Sequence, residues 1–313
     1  MRKISNRTRS LIAAAFAILF WSSAFPAVKF CSDYYSPGSI MLFRFAVAAA
    51  VLGIAGALGK TRLPAWRDMP MFALCGFLGI FLYMWGFNTG IVSVASGVSS
   101  FIIASSPVFT MLLSVLILRE KVSPMMWAGV FISLAGLVMT AWEGANLLSG
   151  PGMGKGEIFL LGAAISGSFY TIFQRKLLAK YSPIQTTAYA VFFAVLLMLV
   201  FLPGLIREFP SAPLAANLVI VYLGVFPAAL AYFLWGYALS KAGSTMTITV
   251  FLYLSPFSST LIAYLWLNEV ISVFSFIGGV VVIAGMAFIN LTDAKSRAPS
   301  SRARGIGVGA GRE

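Results

Sequence analysis

The sequence predicts an all-α integral membrane protein with ten transmembrane helices, arranged as two inverted five-helix repeats. Three observations predict this fold class: the composition, the number of apolar stretches, and a pattern that occurs twice. Of the 313 residues, 60% are hydrophobic and only 10% are charged, and the mean hydropathy is +0.93. A soluble fold needs a polar surface that this composition cannot supply, so we expect the chain to lie in a lipid bilayer.

Ten stretches are long and apolar enough to form helices across a membrane, because a span takes roughly 20 mostly apolar residues. The predicted spans are 10–30, 37–58, 70–91, 95–118, 124–142, 156–177, 184–204, 214–239, 244–267 and 271–291. The first span follows the basic segment MRKISNRTRS and could also pass for a signal peptide. Cleavage would remove most of that span and spoil the even count, so we interpret it as a retained helix.

The positive charge is distributed as in a membrane protein with both termini in the cytoplasm. The net charge is +13, with 22 Lys and Arg residues. If the N-terminus is cytoplasmic, 18 of them fall on inner segments, Arg44 lies within a span, and only Lys29, Lys155 and Arg207 fall on outer segments. This bias is the positive-inside pattern, so the charge indicates orientation and not a nucleic-acid surface. We expect a multi-pass protein of a bacterial inner membrane.

Two parts of the sequence repeat each other. A shift of 149 residues matches Pro107 with Pro256 and Glu120 with Glu269, and a shift of 150 matches YMWGF with FLWGY. Each copy contains five spans, and because five is odd the second copy enters the membrane from the opposite side. Inverted repeats of this kind let a transporter exchange inward-open and outward-open states.

The repeats define the expected domain organisation. It consists of a cytoplasmic N-terminal tail at 1–9, a first repeat at 10–142, a connector at 143–155, a second repeat at 156–291 and a disordered basic C-terminal tail at 292–313. The connector region contains SGPGMGKGE, which imitates a phosphate-binding loop but has glycine where that motif needs Ser or Thr after the lysine. We interpret it as a flexible link.

Pro107 and Pro256 lie near the middle of two predicted spans. A proline inside a helix frees the carbonyl four residues earlier, here those of Ile103 and Leu252. In lipid, neighbouring serines can satisfy such a carbonyl. One interpretation is a tolerated kink. The duplication favours a second interpretation, in which both prolines are hinges that let their helices open on one side.

Polar and aromatic side chains at mid-membrane depth predict a substrate cavity, and several are spaced by four so that they share one face of a helix. The predicted substrate-binding residues are Trp21, Lys29, Arg44, Tyr83, Trp85, Asn88, Ser106, Tyr170, Gln174, Tyr232, Trp235 and Tyr253. Interface aromatics and helix-packing serines would explain part of such a set. Residues near the midplane, such as Trp21, Ser106 and Tyr253, fit an interfacial belt poorly.

Arg44 is the one clearly intramembrane charge. Two interpretations stay open for it. The long side chain can snorkel to the outer surface, or it can face the cavity and, with Lys29, attract a carboxylate or phosphate. Neither Asp nor Glu lies deep in any predicted span, which argues against cation or proton exchange centred on a carboxylate.

The residue inventory favours a transporter over an enzyme. The chain has no histidine and no deep carboxylate, so a membrane-embedded enzyme would lack the usual acid–base groups and metal ligands. We predict no cofactor and no metal. The expected partners are a small-molecule substrate and the lipid bilayer, without nucleic acid, and a homodimer stays open.

The motifs also carry a resemblance to a known family. FWSSAFPAVK, RFAVAAAV, SSPVFTMLLSVLILREKVS and LYLSPFSSTLIAYLWLNEVIS resemble the EamA repeats of the drug/metabolite transporter superfamily, over about 280 residues. The resemblance implies a ten-helix exporter of amino acids, other metabolites or toxic compounds. One departure is Gly167, which occupies the place of Trp21 in the second copy, so a site symmetric about that tryptophan is in doubt. We expect export of small metabolites such as amino acids by alternating access. Multidrug efflux is the alternative, and a membrane-embedded enzyme is a remote one.

Overall fold

A computed structural model describes residues 6–59, 61, 63–94, 96–142, 154–267 and 273–297. Within these ranges the regular structure is entirely helical. Six of the helices in the described part of the chain are each long and apolar enough to cross a membrane. The fold is therefore that of an all-helical membrane protein. Most of the predicted connector and C-terminal tail, together with Glu269, lie outside the described residues.

The helices follow one another in a similar order in the two halves of the chain. The first half contains α1 Asn6–Cys31, α2 Pro37–Leu58, α3 Trp66–Ser93, α4 Ser96–Ile103, α5 Ser106–Leu118 and α6 Pro124–Trp142. The second half contains α7 Lys155–Leu177, α8 Pro183–Glu208, α9 Leu214–Lys241, α10 Thr245–Thr249, α11 Leu254–Leu267 and α12 Val273–Arg297. The six long apolar helices are α1, α2, α3, α7, α8 and α9.

The two proline-containing stretches are interrupted, which corrects the expectation of one kinked helix in each. A break after Ile103 separates α4 from α5, and a 3-10 turn at Val250–Tyr253 separates α10 from α11. Pro107 and Pro256 therefore lie in the first turn of a new helix, where a missing N–H removes no helical hydrogen bond.

Serine hydroxyl groups satisfy carbonyls at the first break. Ser106 donates to the Ile103 carbonyl over 2.6 Å, and Ser105 donates to the Ile102 carbonyl over 2.6 Å. The predicted role of serines beside Pro107 is thus confirmed. The hinge role of the two prolines remains a prediction.

Both α3 and α9 contain a π-helical segment, at Phe77–Leu82 and at Gly224–Leu230. Such segments widen a helix locally and are frequent at functional sites. The second includes Pro227, whose carbonyl accepts a hydrogen bond from the indole N–H of Trp21 over 2.9 Å. Neither segment was predicted from the sequence.

The helix packing recurs when the two halves are exchanged. Helix α3 packs on α7 as α1 packs on α9, and α5 packs on α7 as α11 packs on α1. Helix α3 also contacts α8 as α9 contacts α2. The remaining large contacts, between α2 and α8 and between α6 and α12, join corresponding helices.

Glycines allow two of these corresponding contacts to be close. A Cβ atom on Gly76 of α3 would lie 2.6 Å from the carbonyl oxygen of Ala190 on α8. A Cβ atom on Gly224 of α9 would lie 2.7 Å from the carbonyl oxygen of Arg44 on α2. Either distance is shorter than van der Waals contact, so each helix approaches its neighbour more closely than a larger residue would allow.

Large apolar side chains cover the outside of the bundle. Leu58, Leu116 and Leu214 are examples, with exposed fractions of 81%, 74% and 71%. An outer surface of this kind is unfavourable in water and matches contact with lipid chains. The packing and the surface together agree with a multi-pass integral membrane protein.

Glu120 connects the end of α5 to the start of α10. Its carboxylate accepts hydrogen bonds from the Thr245 hydroxyl over 2.6 Å, from the Thr245 backbone N–H over 3.1 Å, and from the Ser244 hydroxyl over 3.2 Å. A carboxylate at a helix N-terminus satisfies free N–H groups and stabilises the positive end of the helix. This contact gives the repeated glutamate a structural role in the first half.

Candidate functional site

A cavity lies inside the bundle, between helices of both halves. Its volume is about 70 Å³. It has room for a few water molecules, since one needs roughly 10–15 Å³, and is smaller than the clefts of roughly 300–1,000 Å³ that hold drug-sized ligands. The walls consist of Ile18, Trp21, Ala24, Phe25, Arg44, Gly79, Tyr83, Met84, Phe87, Ile103, Ser106, Thr110, Gly167, Tyr170, Thr171, Tyr232, Trp235, Leu252 and Ser255.

Trp21 is the centre of an aromatic wall between α1 and α9. Its ring centroid lies 5.3 Å from that of Tyr232, edge-on, and 5.1 Å from that of Trp235. Such arrangements add roughly 0.5–1.5 kcal/mol per pair beyond the burial of area. The indole N–H is held by the carbonyl of Pro227, so the rotamer of Trp21 is fixed.

The opposite wall, formed by α3 and α7, depends on two glycines. A Cβ atom on Gly79 would overlap the ring of Tyr170, and a Cβ atom on Gly167 would lie 3.0 Å from the ring of Tyr83. Each glycine therefore makes room for a tyrosine of the other helix. Tyr170 also meets Tyr232 edge-on, with the ring centroids 5.6 Å apart, which joins the two aromatic walls.

Arg44 lines the cavity and does not snorkel to the surface. Its exposed fraction is 1%, and one guanidinium nitrogen donates a long hydrogen bond to the sulfur of Met84, 3.8 Å away. The guanidinium carbon is 5.5 Å from the centroid of the Phe45 ring. The Nε atom has no hydrogen-bond partner among the residues that the structure describes. The first of the two open interpretations of Arg44 is thus excluded.

A small set of hydroxyl groups completes the polar part of the wall. Ser106, Thr110, Thr171 and Ser255 line the cavity, and the buried Thr110 hydroxyl has no partner within the described ranges. Thr110 and Thr171, which the sequence analysis missed, each follow another wall residue by four positions. The four-residue spacing that supports the predicted binding residues could have identified both.

Seven of the twelve predicted binding residues line the cavity: Trp21, Arg44, Tyr83, Ser106, Tyr170, Tyr232 and Trp235. The other five lie elsewhere, which corrects the expectation of one shared wall. Tyr253 is buried in a separate apolar cluster with Met111 and Val250. Successive side chains of a 3-10 turn point about 120° apart, and in this turn Leu252 lines the cavity, so the next residue, Tyr253, points elsewhere. Gln174 lies behind the wall, where its amide donates to the hydroxyl of Tyr170 over 2.9 Å.

The side chains of Asn88 and Lys29 donate hydrogen bonds to backbone carbonyls at helix ends and do not line the cavity. The amide of Asn88 donates to the carbonyl of Pro37 at the start of α2, over 3.3 Å. Lys29 is exposed at the end of α1, and its ammonium donates to the carbonyls of Ile91 and Val92 over 3.2 and 3.0 Å. The last carbonyls of a helix lack partners and carry partial negative charge, so they attract a cation. Lys29 therefore does not join Arg44 at an anion site.

Trp85 stacks on Phe201 of α8, with ring centroids 5.3 Å apart and the planes inclined by 8°. Trp85 lies outside the cavity because the sequence match between the two halves is out of register with their helix contacts. Gly76 and Gly224, which make corresponding contacts, are 148 residues apart, whereas Trp85 and Trp235 are 150 apart. A difference of two residues turns a side chain by roughly 200° about the helix axis. The match between YMWGF and FLWGY is therefore not a structural equivalence.

The cation contact of Lys29 has a counterpart in the second half. Arg175, near the end of α7, donates to the carbonyls of Leu239 and Ala242 at the end of α9, the second over 2.7 Å. We call the contact of Lys29 with the end of α3 and the contact of Arg175 with the end of α9 the two cation clamps.

The two cation clamps lie at opposite ends of the bundle. Gly90, near the end of α3, approaches Gly156 at the start of α7, whereas Arg175 is near the other end of α7. At that other end, Ser10 of α1 donates to the carbonyl of Ala238 of α9 over 2.7 Å. One clamp thus closes α1 against α3 at one end, and the other closes α7 against α9 at the opposite end.

The model of the EamA-like transporter family matches residues 8–142 and 154–291. The chain is 34% identical over 291 residues to "Uncharacterized transporter YdfC" of Bacillus subtilis (strain 168), covering 93% of either protein. It is also 34% identical over 283 residues to a "Probable terminal-alkyne amino-acid exporter" of Streptantibioticus cattleyicolor, covering 90% of this chain and 94% of the relative.

A solved crystal structure, titled only as that of a protein, has a similar fold. It superimposes with a TM-score of 0.74 over 93% of this chain and 100% of its own chain. At 22% identity the likeness concerns the fold alone. The names of the family and of the sequence relatives indicate a transporter rather than an enzyme.

Proposed function

Because this chain belongs to the EamA-like transporter family, we propose that it exports small metabolites such as amino acids through the central cavity by alternating access. The observation that carries the proposal is the composition of the cavity wall. Both halves contribute to it, at the two helix breaks and beside a π-helical segment. Broken helices at corresponding positions of two repeats are typical of the substrate site of a transporter.

The proposed architecture is ten spans in two five-helix units of opposite orientation. Interrupted α4 and α5 form one span, and α10 and α11 form another. The helix contacts that recur on exchange of the halves support this arrangement. The two cation clamps at opposite ends of the bundle support the inversion. The repeat units would be 10–142 and 156–291, joined by a connector at 143–155, with tails at 1–9 and 292–313.

We infer a bacterial inner membrane with both termini in the cytoplasm, from the distribution of Lys and Arg. Single cysteines in a background without Cys31 and Cys75 test this orientation. A cysteine at Gly152 is expected to react with an impermeant maleimide from outside, and one at Ser300 is not. Both positions lie outside the described residues. External labelling at Ser300 would refute the orientation.

Amino acids fit the cavity better than larger compounds do. The cavity is small, and its wall, as far as the structure describes it, combines seven aromatic side chains with one cation and a few hydroxyl groups. One relative is named as a probable exporter of a terminal-alkyne amino acid, and such a compound joins a carboxylate to an apolar side chain. The aromatic walls also favour multidrug efflux as a second candidate, although that function gives Arg44 no role.

The prolines and the cation clamps supply a mechanism. Opening at one end would separate α1 from α3 at the Lys29 clamp, and opening at the other would separate α7 from α9 at the Arg175 clamp. Pro107 and Pro256 lie in the first turns of helices that form part of the cavity wall, so bending there would admit solute to one end at a time. A homodimer is compatible with this mechanism, which needs only one copy of the chain.

Transport into everted vesicles tests the proposal. Vesicles from cells that express the chain are offered a panel of labelled amino acids and cationic dyes, with vesicles from the same cells without the chain as the inactive control. We expect uptake of at least one amino acid, recovered unmodified, and no uptake in the control. Uptake of dyes alone would favour multidrug efflux, and steady conversion of the solute into a product would favour an enzyme. Absence of uptake throughout would refute transport of these classes.

A further inference from the structure

We propose that Arg44 binds the carboxylate of the substrate and thereby restricts the cavity to small organic carboxylates, zwitterions included. The inference deepens the proposed transport function and rests on it. It concerns the chemical class of the solute and names one side chain as its charged partner. The apolar part of the solute would pack on the aromatic wall formed by Trp21, Tyr232 and Trp235.

The first observation is the isolation of a buried charge. Arg44 is 1% exposed, and within the described ranges no carboxylate lies at salt-bridge distance from it. The described residues do contain a salt bridge between Lys180 and Asp68, but it lies at the surface of the protein. A buried charge without a counter-ion costs several kcal/mol, and an intramembrane arginine is a candidate functional group for that reason.

The second observation is that the scaffold does not need an arginine at this position. Gly224 of α9 packs against the backbone carbonyl of Arg44, and Gly76 of α3 packs against the backbone carbonyl of Ala190 in the same way. The second half has alanine at the corresponding position, so this helix contact forms there without an arginine side chain. The guanidinium of Arg44 is additional to the packing, which points to a ligand as the reason for its presence.

The third observation is the chemistry around the charge. A guanidinium presents N–H donors in a planar fork that matches a carboxylate. Thr110, also on the cavity wall, has a buried hydroxyl group without a partner in the described part of the chain, and it can donate to the same anion. Among the residues that the structure describes, the cavity wall contains neither Asp nor Glu, so a cationic compound would meet like charge at Arg44 without a compensating carboxylate there.

The test uses the purified full chain in detergent and three probes of the same length: valerate, valeramide and pentylamine. We expect valerate to raise the thermal midpoint Tm in a saturable manner, since a ligand that binds the folded state stabilises it. Valeramide and pentylamine lack the anion and are expected to leave Tm unchanged. Equal stabilisation by valeramide would overturn the proposal, and so would no effect of valerate.

Two variants separate a ligand role from a structural one. Arg44→Met keeps the length of the side chain and removes the buried charge. We expect its Tm without ligand to equal or exceed that of the wild type, while its affinity for valerate falls roughly 10- to 100-fold, as for loss of a charged hydrogen bond. The matched control is Arg207→Met, which changes an exposed arginine and leaves the response to valerate intact.

An Arg44→Met protein that binds valerate as the wild type does would overturn the proposal. If Arg44→Met does not fold, the arginine is structural in part, and Arg44→Lys decides. That variant keeps the charge and loses the fork, so valerate binding should weaken, and unchanged binding would refute the site. Failure of transport is distinguishable: valerate binding without uptake of any solute refutes transport alone. Uptake of solutes that is insensitive to Arg44→Met refutes the site alone.

Discussion

The two halves of the chain share their scaffold contacts and differ in the chemistry that they bring to the cavity. Each half places a cation on the end of its third long helix, Lys29 in one and Arg175 in the other. In each half, a tyrosine four residues beyond the end of the first helix donates its hydroxyl to a residue of the other half, Tyr35 to Asn217 and Tyr181 to Asp68. These contacts hold helix ends, so both halves need them.

The cavity breaks this correspondence. Trp21 of the first half corresponds to Gly167 of the second, and Arg44 corresponds to Ala190. The first half therefore supplies the large indole and the charge, and the second half supplies space. Under the proposed function, the motions of transport would depend on the repeated contacts, and recognition of the solute would depend on the residues that are not repeated.

The largest effect should follow from reversing the difference at Trp21 and Gly167. In Gly167→Trp an indole would displace Tyr83 and fill the cavity, so we expect transport to be abolished. Trp21→Ala should lower stability by about 3–5 kcal/mol, as for truncation of a large aromatic residue. Trp21→Phe keeps a ring and loses one hydrogen bond, with a cost of about 1 kcal/mol. Transport and Tm of all three variants are compared, and wild-type transport by Gly167→Trp would contradict the account.

The close contacts that the halves share should be equally sensitive to added volume. Gly76→Ala and Gly224→Ala each force a methyl group against a backbone carbonyl, and we expect a loss of about 1–3 kcal/mol from either. Gly53→Ala and Gly162→Ala are the controls, because no atom lies within 4 Å of the added methyl group. The controls should be stabilised slightly, by about 0.5–1 kcal/mol, since alanine is the better helix former. Thermal unfolding of the purified proteins measures these changes. A loss of stability at only one of the two glycines would show that the two contacts are not equivalent.

The prolines test whether the repeated breaks are mechanical. Pro107→Ala and Pro256→Ala should fold normally, because a residue in the first turn of a helix makes no backbone hydrogen bond that proline removes. We expect either variant to change the transport rate or the balance of open states, since alanine allows the preceding helix to continue. Wild-type transport by both variants would contradict the hypothesis that the two prolines act as hinges.

The smallest effect is expected where the halves differ at the surface. The hydrogen bond with Asp68 raises the pKa of Lys180, whereas the corresponding Tyr35–Asn217 contact contains no ion pair. The stabilisation is complete below the unfolded pKa of 10.5 and is lost as the pH rises through the higher folded value. Because the pair is exposed, the loss should be slight. Measurements of Tm against pH should show this loss of stability at high pH in the wild type and in the control Lys176→Gln, and not in Lys180→Gln.

Most of the membrane fold could be predicted from the sequence, because apolar length alone identifies a span. The stretch 37–58 coincides with α2, and 156–177 begins one residue inside α7. The break at Pro107 was visible as a proline, but a proline in a new first turn and a proline in a kink have the same sequence signature. The π-helical segments could not be predicted, since Pro227 alone interrupts the apolar pattern within the two segments.

The cavity was predictable in part. Spacing by four located Trp21 and Tyr170, because side chains four apart share a helix face. Spacing does not reveal rotation between helices, and for that reason Trp85 and Tyr253 were expected in the cavity and lie outside it. Close approach of two helices depends on tertiary contact, so the space that Gly79 and Gly167 make for tyrosines had no local signal.

Accessibility of a cavity cysteine from the two faces tests alternating access most directly. Thr171→Cys in a background without Cys31 and Cys75 is labelled with an impermeant maleimide, from outside in cells and from inside in everted vesicles. The account predicts that Lys29→Gln speeds labelling from outside and slows it from inside, and that Arg175→Gln does the reverse. Loss of a hydrogen bond to a charged group corresponds to a shift of roughly 10- to 100-fold, larger for the less exposed Arg175. A shift of both variants in the same direction, or labelling from one face only, would contradict the account.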